Sequence, residues 1–100
     1  KIEFIAHGAS QGSVMSTQAP EFKAARKALS EEWPNEAAFV GCGGSIPIAG
    51  HFQKITGVTP MLIGFGKDDD QLHSPNEKYD LESFHKGMRS WARVLAELAD

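Results

Sequence analysis

The sequence has few of the residues that mark secreted or membrane-bound chains. Its 100 residues include a single cysteine, Cys42. No disulfide can therefore form within the chain, which fits the reducing conditions of the cytoplasm. No apolar run approaches the roughly 20 residues that cross a bilayer. We expect a cytoplasmic protein with no membrane partner.

Basic charge is also scarce. Ten basic residues against thirteen acidic ones give a net charge of −3, and the basic residues form no stripe that could neutralise phosphates. Nucleic acid is therefore not expected as a partner. What the chain does have is 41 % hydrophobic and 23 % charged residues, the composition of a globular protein with room for one modest core.

Hydrophobic periodicity divides the chain into alternating strands and helices. Alternating or continuous apolar runs predict three strands, which cover residues 2–6, 37–40 and 61–65. Apolar residues spaced three or four positions apart predict three helices, which begin near Pro20, Ser45 and Asp80. Gly57 is expected to end the second helix. The order β-α-β-α-β-α predicts an α/β fold with a mainly parallel sheet.

The third helix has the most regular pattern. Its apolar residues form one stripe along the helix, with basic residues mostly on the opposite face. The stripe consists of Leu81, Phe84, Met88, Trp91, Leu95 and Leu98.

Two loops would follow neighbouring strands and meet at the carboxyl edge of that sheet, where open α/β proteins bind ligands. In the loop 41–45, Gly43 and Gly44 would let backbone N–H groups approach an anion beside the start of a helix. The alternative is plain turn geometry. In the loop 66–80, His73 follows three aspartates, a ligand mix suited to a divalent metal such as zinc. The alternative is a solvated acidic loop.

The other candidate groups are weaker. A thiol at a strand-to-helix turn could act as a nucleophile, but the surroundings of Cys42 do not match a nucleophile elbow. A buried, inert cysteine is the favoured interpretation. His51 and His85 are expected on helix surfaces.

Four motifs in order resemble the C-terminal end of metallopeptidase family twenty, which includes dipeptidases, glutamate carboxypeptidase, acetylornithine deacetylase and succinyl-diaminopimelate desuccinylase. They extend over nearly the whole chain, and the long loop before the histidine is most similar to the dipeptidase branch. The motifs are Gly43-Gly44-Ser45-Ile46-Pro47-Ile48, Leu62-Ile63-Gly64-Phe65-Gly66, His73-Ser74-Pro75-Asn76-Glu77 and Phe84-His85-Lys86-Gly87.

The resemblance implies a two-zinc hydrolase domain interrupted by a smaller lid domain that also mediates dimerisation. Residues 1–18 would be the last lid strand and the return crossing, and residues 19–100 the C-terminal part of the catalytic domain. The remaining zinc ligands, the bridging aspartate and the glutamate general base would lie upstream. Lysine as residue 1, within a strand-like segment, fits a chain cut from a longer one.

The resemblance also implies site residues. His73 matches the last zinc ligand, and Gly43, Gly44 and Ser45 match the loop that binds the carboxylate or amide region of the substrate. His7 is a further candidate for substrate contact. One departure is that Gly41-Cys42 stands where dipeptidases commonly have Arg-Glu, which puts dipeptide specificity in doubt.

These implications favour a zinc metallopeptidase that hydrolyses a dipeptide or N-acyl amino acid through metal-activated water. Its partners would be the missing N-terminal part of the catalytic domain, a small peptide or N-acyl substrate and a second copy in a homodimer. The isolated chain is expected to be inactive. Two alternatives are a non-catalytic module that binds an anion or self-associates through the edge of segment 2–6, and a Cys42-dependent hydrolase.

Overall fold

The computed structural model describes residues 1–8, 10–42 and 46–99. The described residues form three α-helices, α1 (Pro20–Glu32), α2 (Pro47–Thr56) and α3 (Leu81–Ala99), and one 3₁₀ turn, Asp68–Asp70. The chain divides into two compact units. The first comprises residues 1–16 and 40–61 and contains α2, and the second comprises residues 17–39 and 62–100 and contains α1 and α3.

Proline sets the start of α1, and a second proline follows its end. Pro20 occupies the first turn after an extended Ala19, because its fixed φ suits a helix and its missing N–H costs no hydrogen bond there. Trp33 leaves the helix in an extended conformation, as expected for a residue that precedes a proline. The predicted helix is confirmed, although no side chain caps its first turn.

The first unit is built around α2. Pro47 stands in the first turn of the helix, after Ile46. Gly57 ends it with a φ of 71°, and its N–H donates to the Gln53 carbonyl over 3.0 Å. This left-handed ending confirms the predicted glycine stop. A Cβ added at Gly50 would lie 2.5 Å from Ser13 Oγ, so the segment around Ser13 lies against the helix.

In the second unit, α1 and α3 pack against each other. The buried residues of both helices are mostly small, which lets two helix backbones approach closely. They are Phe22, Ala25 and Ala28 on α1, and Ser83, Gly87, Ser90 and Val94 on α3. The predicted third helix is confirmed, but its buried face is the row of small residues.

The apolar stripe of α3 stays accessible. Its six members keep between 42 % and 74 % of their surface exposed. None of the helices in the described part of the chain is long and apolar enough to cross a membrane.

The predicted α/β fold with a parallel sheet is wrong for this structure. None of the segments 2–6, 37–40 and 61–65 is a strand, and no strand occurs among the described residues. The backbone groups of a strand need a neighbouring strand for their hydrogen bonds, and these segments pair with none. Ile2 and Phe4, expected on a half-buried face, are 98 % and 89 % exposed.

Segments 37–40 and 61–65 belong to no helix or strand. Phe39 and Leu62 are about half exposed, so the run around Leu62 is not covered on both faces. Phe65, at the end of the same run, is half-buried and stacks on Trp33, with ring centroids 5.7 Å apart. Phe65 thus packs against the helix pair rather than within a sheet.

Candidate functional site

His73 lies on an exposed loop of the second unit, and both ends of that loop are joined at Asp70. The Lys78 backbone N–H donates to the Asp70 carbonyl over 3.0 Å. The Lys78 ammonium donates to Asp70 Oδ1, also over 3.0 Å. A main-chain bond and a side-chain bond therefore close residues 71–77 into a loop that contains His73.

Asp70 is the buried centre of this arrangement. Its side chain is 1 % exposed, and its second oxygen, Oδ2, accepts the Lys67 backbone N–H over 2.8 Å. The Asp70 N–H in turn donates to the Lys67 carbonyl over 3.1 Å. A buried carboxylate needs such donors, because burial without partners strongly disfavours the charged form.

Lys78 joins three carboxylates. Its ammonium lies 3.1 Å from Asp69 Oδ1, 3.0 Å from Asp70 Oδ1 and 3.2 Å from Asp80 Oδ1. The other oxygen of Asp80 accepts a hydrogen bond from the Lys67 ammonium. We call these five residues, Lys67, Asp69, Asp70, Lys78 and Asp80, the loop-closing cluster.

The ionisation of the cluster follows from these contacts. The pKa of Asp70 is lowered, first by the Lys67 backbone N–H and then by the Lys78 ammonium, against the opposing effect of burial. The pKa of Asp80 is lowered, mainly by its bond to Lys67. The pKa of Lys78 is raised, with Asp70 as the largest cause. At neutral pH all three groups are therefore charged.

The backbone of the closed loop is unusual. Gln71, His73 and Asn76 have φ values of 53°, 61° and 62°, in the left-handed region that costs free energy for residues with a Cβ. Ser74 contributes internal support, since its N–H and hydroxyl both donate to the Gln71 carbonyl, over 3.1 and 2.6 Å. The imidazole of His73 is thus carried on a tightly turned, exposed segment.

The other predicted site residues have different positions. His7 lies exposed on the N-terminal segment of the first unit, outside any helix. Gly43, Gly44 and Ser45 lie outside the described residues.

The structure also tests the predictions for Cys42, for two further histidines and for the two loops. Cys42 is exposed, so the prediction of a buried cysteine is wrong. His51 and His85 are exposed on α2 and α3, which confirms their placement on helix surfaces. The predicted meeting of two loops at a sheet edge loses its basis, because the described residues form no sheet.

The described residues do not make up a complete zinc site by themselves. In that part of the chain, no group of three His, Cys, Asp or Glu side chains is placed to hold a metal ion. Zinc sites in proteins take three or four protein ligands. The aspartates near His73 do not complete the ligand set, because Asp69 and Asp70 face the Lys78 ammonium. His73 is therefore a single candidate ligand.

A shallow groove of about 700 Å³ lies elsewhere in the second unit, beside α1. Lys23, Arg26 and Lys27 line it together with polar neighbours. Arg26 and Lys27 are engaged in ion pairs, with Glu36 over 3.1 Å and with Glu97 over 2.7 Å. His73 is not among the residues that line this groove, so the groove is no part of the candidate metal-ligand loop.

Residues 1–97 match the family model of Peptidase family M20/M25/M40. The chain belongs to this peptidase family, which confirms the resemblance seen in its motifs.

Two kinds of curated relative agree with the dipeptidase branch. The chain is 39 % identical to a Cys-Gly metallodipeptidase of Saccharomyces cerevisiae over 75 residues, which are 75 % of the chain and 16 % of the yeast protein. It is 33 % identical to a Beta-Ala-His dipeptidase of Homo sapiens over 79 residues, which are 79 % of the chain and 16 % of the human protein. The chain thus spans 16 % of the length of these relatives. No solved structure matches it.

The sequence contained a signal for the loop-closing cluster that pattern analysis missed. Lys67 directly precedes the aspartate run, and Lys78 stands two residues before Asp80. Alternating opposite charges at both ends of a long loop can pair across its base. Which aspartate would be buried could not be read from this pattern, because Asp68, Asp69 and Asp70 are chemically equivalent in sequence.

Proposed function

We propose that this chain is the C-terminal piece of a zinc-dependent dipeptidase or amidohydrolase, here called the parent enzyme. The observation that carries the proposal is the family match over residues 1–97. The similarity to metallodipeptidases adds the reaction class, and the short share of those proteins that the chain covers supports a longer parent. The substrate class is a dipeptide or N-acyl amino acid, and the bond cleaved is an amide.

His73 has the role of a metal ligand in this proposal. Its imidazole nitrogen is a donor that zinc prefers, and its loop is held by the loop-closing cluster. The other ligands, the bridging aspartate and the glutamate general base come from the rest of the parent enzyme. When bound, the two metal ions would lower the pKa of a water molecule and so make it a nucleophile toward the amide carbonyl.

The substrate would be held by other residues of the chain. Gly43, Gly44 and Ser45 bind the carboxylate or amide end of the substrate, and His7 is a further contact. Residues 1–18 belong to the lid domain and residues 19–100 to the catalytic domain of the parent enzyme. We further propose a cytoplasmic location and a homodimer.

Metal removal and one substitution test this function. We expect exhaustive chelation to abolish hydrolysis of Cys-Gly or β-Ala-His by the parent enzyme, and added zinc to restore it. His73→Ala should lower kcat/KM about 100-fold or more and reduce the bound zinc. His85→Ala is the matched control, since His85 is equally exposed but lies on α3, and it should leave activity and zinc content unchanged.

Two results would contradict the proposal. One is full amidase activity after chelation, and the other is unchanged zinc content and activity in the His73→Ala enzyme. The chain of 100 residues alone should show no hydrolysis, because a single imidazole does not hold zinc against water.

A further inference from the structure

We propose that Asp70 and Lys78 are positioning residues, which close the segment 71–77 at its base and so fix His73 for metal binding. This inference rests on the proposed function for its metal, although the closure itself is a property of the chain alone. Neither residue touches the metal in this proposal. Both act through the backbone that carries His73.

The first observation is the double connection between the two ends of the segment. Lys78 donates to Asp70 once through its backbone N–H and once through its ammonium, each over 3.0 Å. A loop of seven residues loses much conformational freedom when its ends are joined in two ways. The position of His73 relative to the 3₁₀ turn is thereby restricted.

The second observation is that the side chain of Asp70 is buried, whereas those of its neighbours in the aspartate run are exposed. Asp69 has 72 % of its side chain exposed, whereas Asp70 has 1 %. The structure buries the one aspartate that binds both the Lys67 backbone N–H and the Lys78 ammonium. A buried carboxylate without its cation raises the free energy of the folded state strongly. Asp70 and Lys78 therefore stay paired in the folded loop.

The third observation is the backbone conformation at His73. Its φ of 61° is unfavourable for a histidine and persists only when the surroundings impose it. The neighbouring left-handed residues Gln71 and Asn76 show that the turn as a whole is constrained. The closed base is the constraint in this structure that lies outside the turn and holds both of its ends.

Asp69, Asp80 and Lys67 also face the base of the loop and supply part of the local charge. Asp69 and Asp80 keep 72 % and 34 % of their side chains exposed, so water can replace their contacts to Lys78. The contribution of a solvated ion pair is small. Asp70 is therefore the partner whose loss should open the loop.

The first experiment examines the loop without any metal. NMR spectra of the 100-residue chain report the left-handed backbone of His73 as a strong cross-relaxation signal between its own amide and Hα protons, and hydrogen exchange reports the Lys78 amide. Asp70→Asn and Lys78→Met should weaken the first signal and speed the exchange of residue 78, whereas Lys78→Arg should preserve both. Lys27→Met is the control, because it removes another ion-paired lysine, bound to Glu97, that has no role in the loop.

The second experiment measures zinc in the parent enzyme. Asp70→Asn and Lys78→Met should raise the zinc dissociation constant about 10-fold, within the range seen when residues that support a metal ligand are changed. Excess zinc should then restore kcat. Lys78→Arg and Lys27→Met should keep the zinc affinity of the unmodified enzyme.

The results separate this inference from the proposed function. An unchanged His73 signal in both Asp70→Asn and Lys78→Met would overturn the inference, and so would a lost signal with unchanged zinc affinity. If His73→Ala leaves zinc binding intact, the proposed function fails, whatever the NMR spectra show. Circular dichroism of each variant checks that the helix content of the chain is preserved, and Lys78→Met keeps the inference testable if Asp70→Asn does not fold.

Discussion

Two serines on the buried face of α3 have opposite hydrogen-bonding environments. Ser90 is 0 % exposed, and its hydroxyl accepts a hydrogen bond from Trp33 Nε1 over 2.9 Å. Ser83 is 1 % exposed, and its hydroxyl has no hydrogen-bond partner among the residues that the structure describes. A buried polar group without a partner keeps its desolvation cost.

Alanine at each position should therefore change the free energy of unfolding in opposite directions. We expect Ser83→Ala to stabilise the chain by about 1 kcal/mol, because it removes an unpaired hydroxyl. Ser90→Ala should destabilise it by about 1 kcal/mol, because the N–H of the half-buried Trp33 loses its acceptor. Urea unfolding followed by Trp fluorescence measures both. The two variants are controls for each other, and shifts of the same sign would contradict the interpretation.

At the scale of the helices, Glu32 joins α1 to α3. Its carboxylate is 8 % exposed and lies 2.6 Å from Arg89 Nη2 and 3.2 Å from Arg93 Nε. The pKa of Glu32 is lowered, mainly by the hydrogen bond from Arg89, with Arg93 adding to the effect. Glu31, its neighbour in α1, is 46 % exposed and reaches only Arg93, over 3.4 Å.

This lowered pKa predicts how stability depends on pH. Since Glu32 binds protons less readily when folded, its contribution is complete above the ordinary glutamate pKa of about 4.3 and is lost as the pH falls through the lower folded value. Glu32→Gln should therefore be less stable than the unmodified chain at pH 7, and the difference should shrink between pH 5 and 3, roughly the window set by that pKa. Urea unfolding of both proteins between pH 7 and 3 measures this difference in the free energy of unfolding.

Glu31→Gln is the control for that series, because its exposed pair contributes little. It should unfold like the unmodified chain at every pH. A difference for Glu32→Gln that stays constant from pH 7 to 3 would show that the charge of Glu32 does not stabilise the helix pair.

At the scale of the whole chain, much apolar surface is left uncovered. The stripe of α3 is exposed along its length, including Met88 at 50 % and Leu95 at 63 %. In the first unit, Phe52 and Ile55 of α2 are 54 % and 80 % exposed. An exposed apolar stripe as long as that of α3 is unusual for a single folded chain.

We expect the 100-residue chain to bind a hydrophobic dye such as anilinonaphthalene sulfonate. Met88→Gln combined with Leu95→Gln should reduce the dye fluorescence measurably but by no more than about half, since the stripe is one of several apolar regions. Both side chains are largely exposed, so the free energy of unfolding should change by no more than about 0.5 kcal/mol each. Lys23→Gln, on the exposed face of α1, is the control. Dye binding equal to that of the unmodified chain would show that the stripe is not the accessible surface described.

The helices could be predicted from sequence because their determinants are local. Pro20 in a first turn, Gly57 at a left-handed end and the periodic apolar residues of α3 each act within a few neighbouring positions. The metal-ligand role of His73 came from a motif and stays a proposal. The family it indicated is confirmed by the match over residues 1–97.

The sequence by itself determined roughly where the three helices begin, where α2 ends and which family the chain belongs to. Only the tertiary structure decided that residues 2–6, 37–40 and 61–65 form no strands, since strand formation depends on a partner that periodicity does not specify. Only the tertiary structure also showed that α3 packs through small residues rather than through its apolar stripe, and that Asp70 alone of three aspartates is buried. These outcomes depend on which surfaces meet in space, and residues distant in sequence decide that.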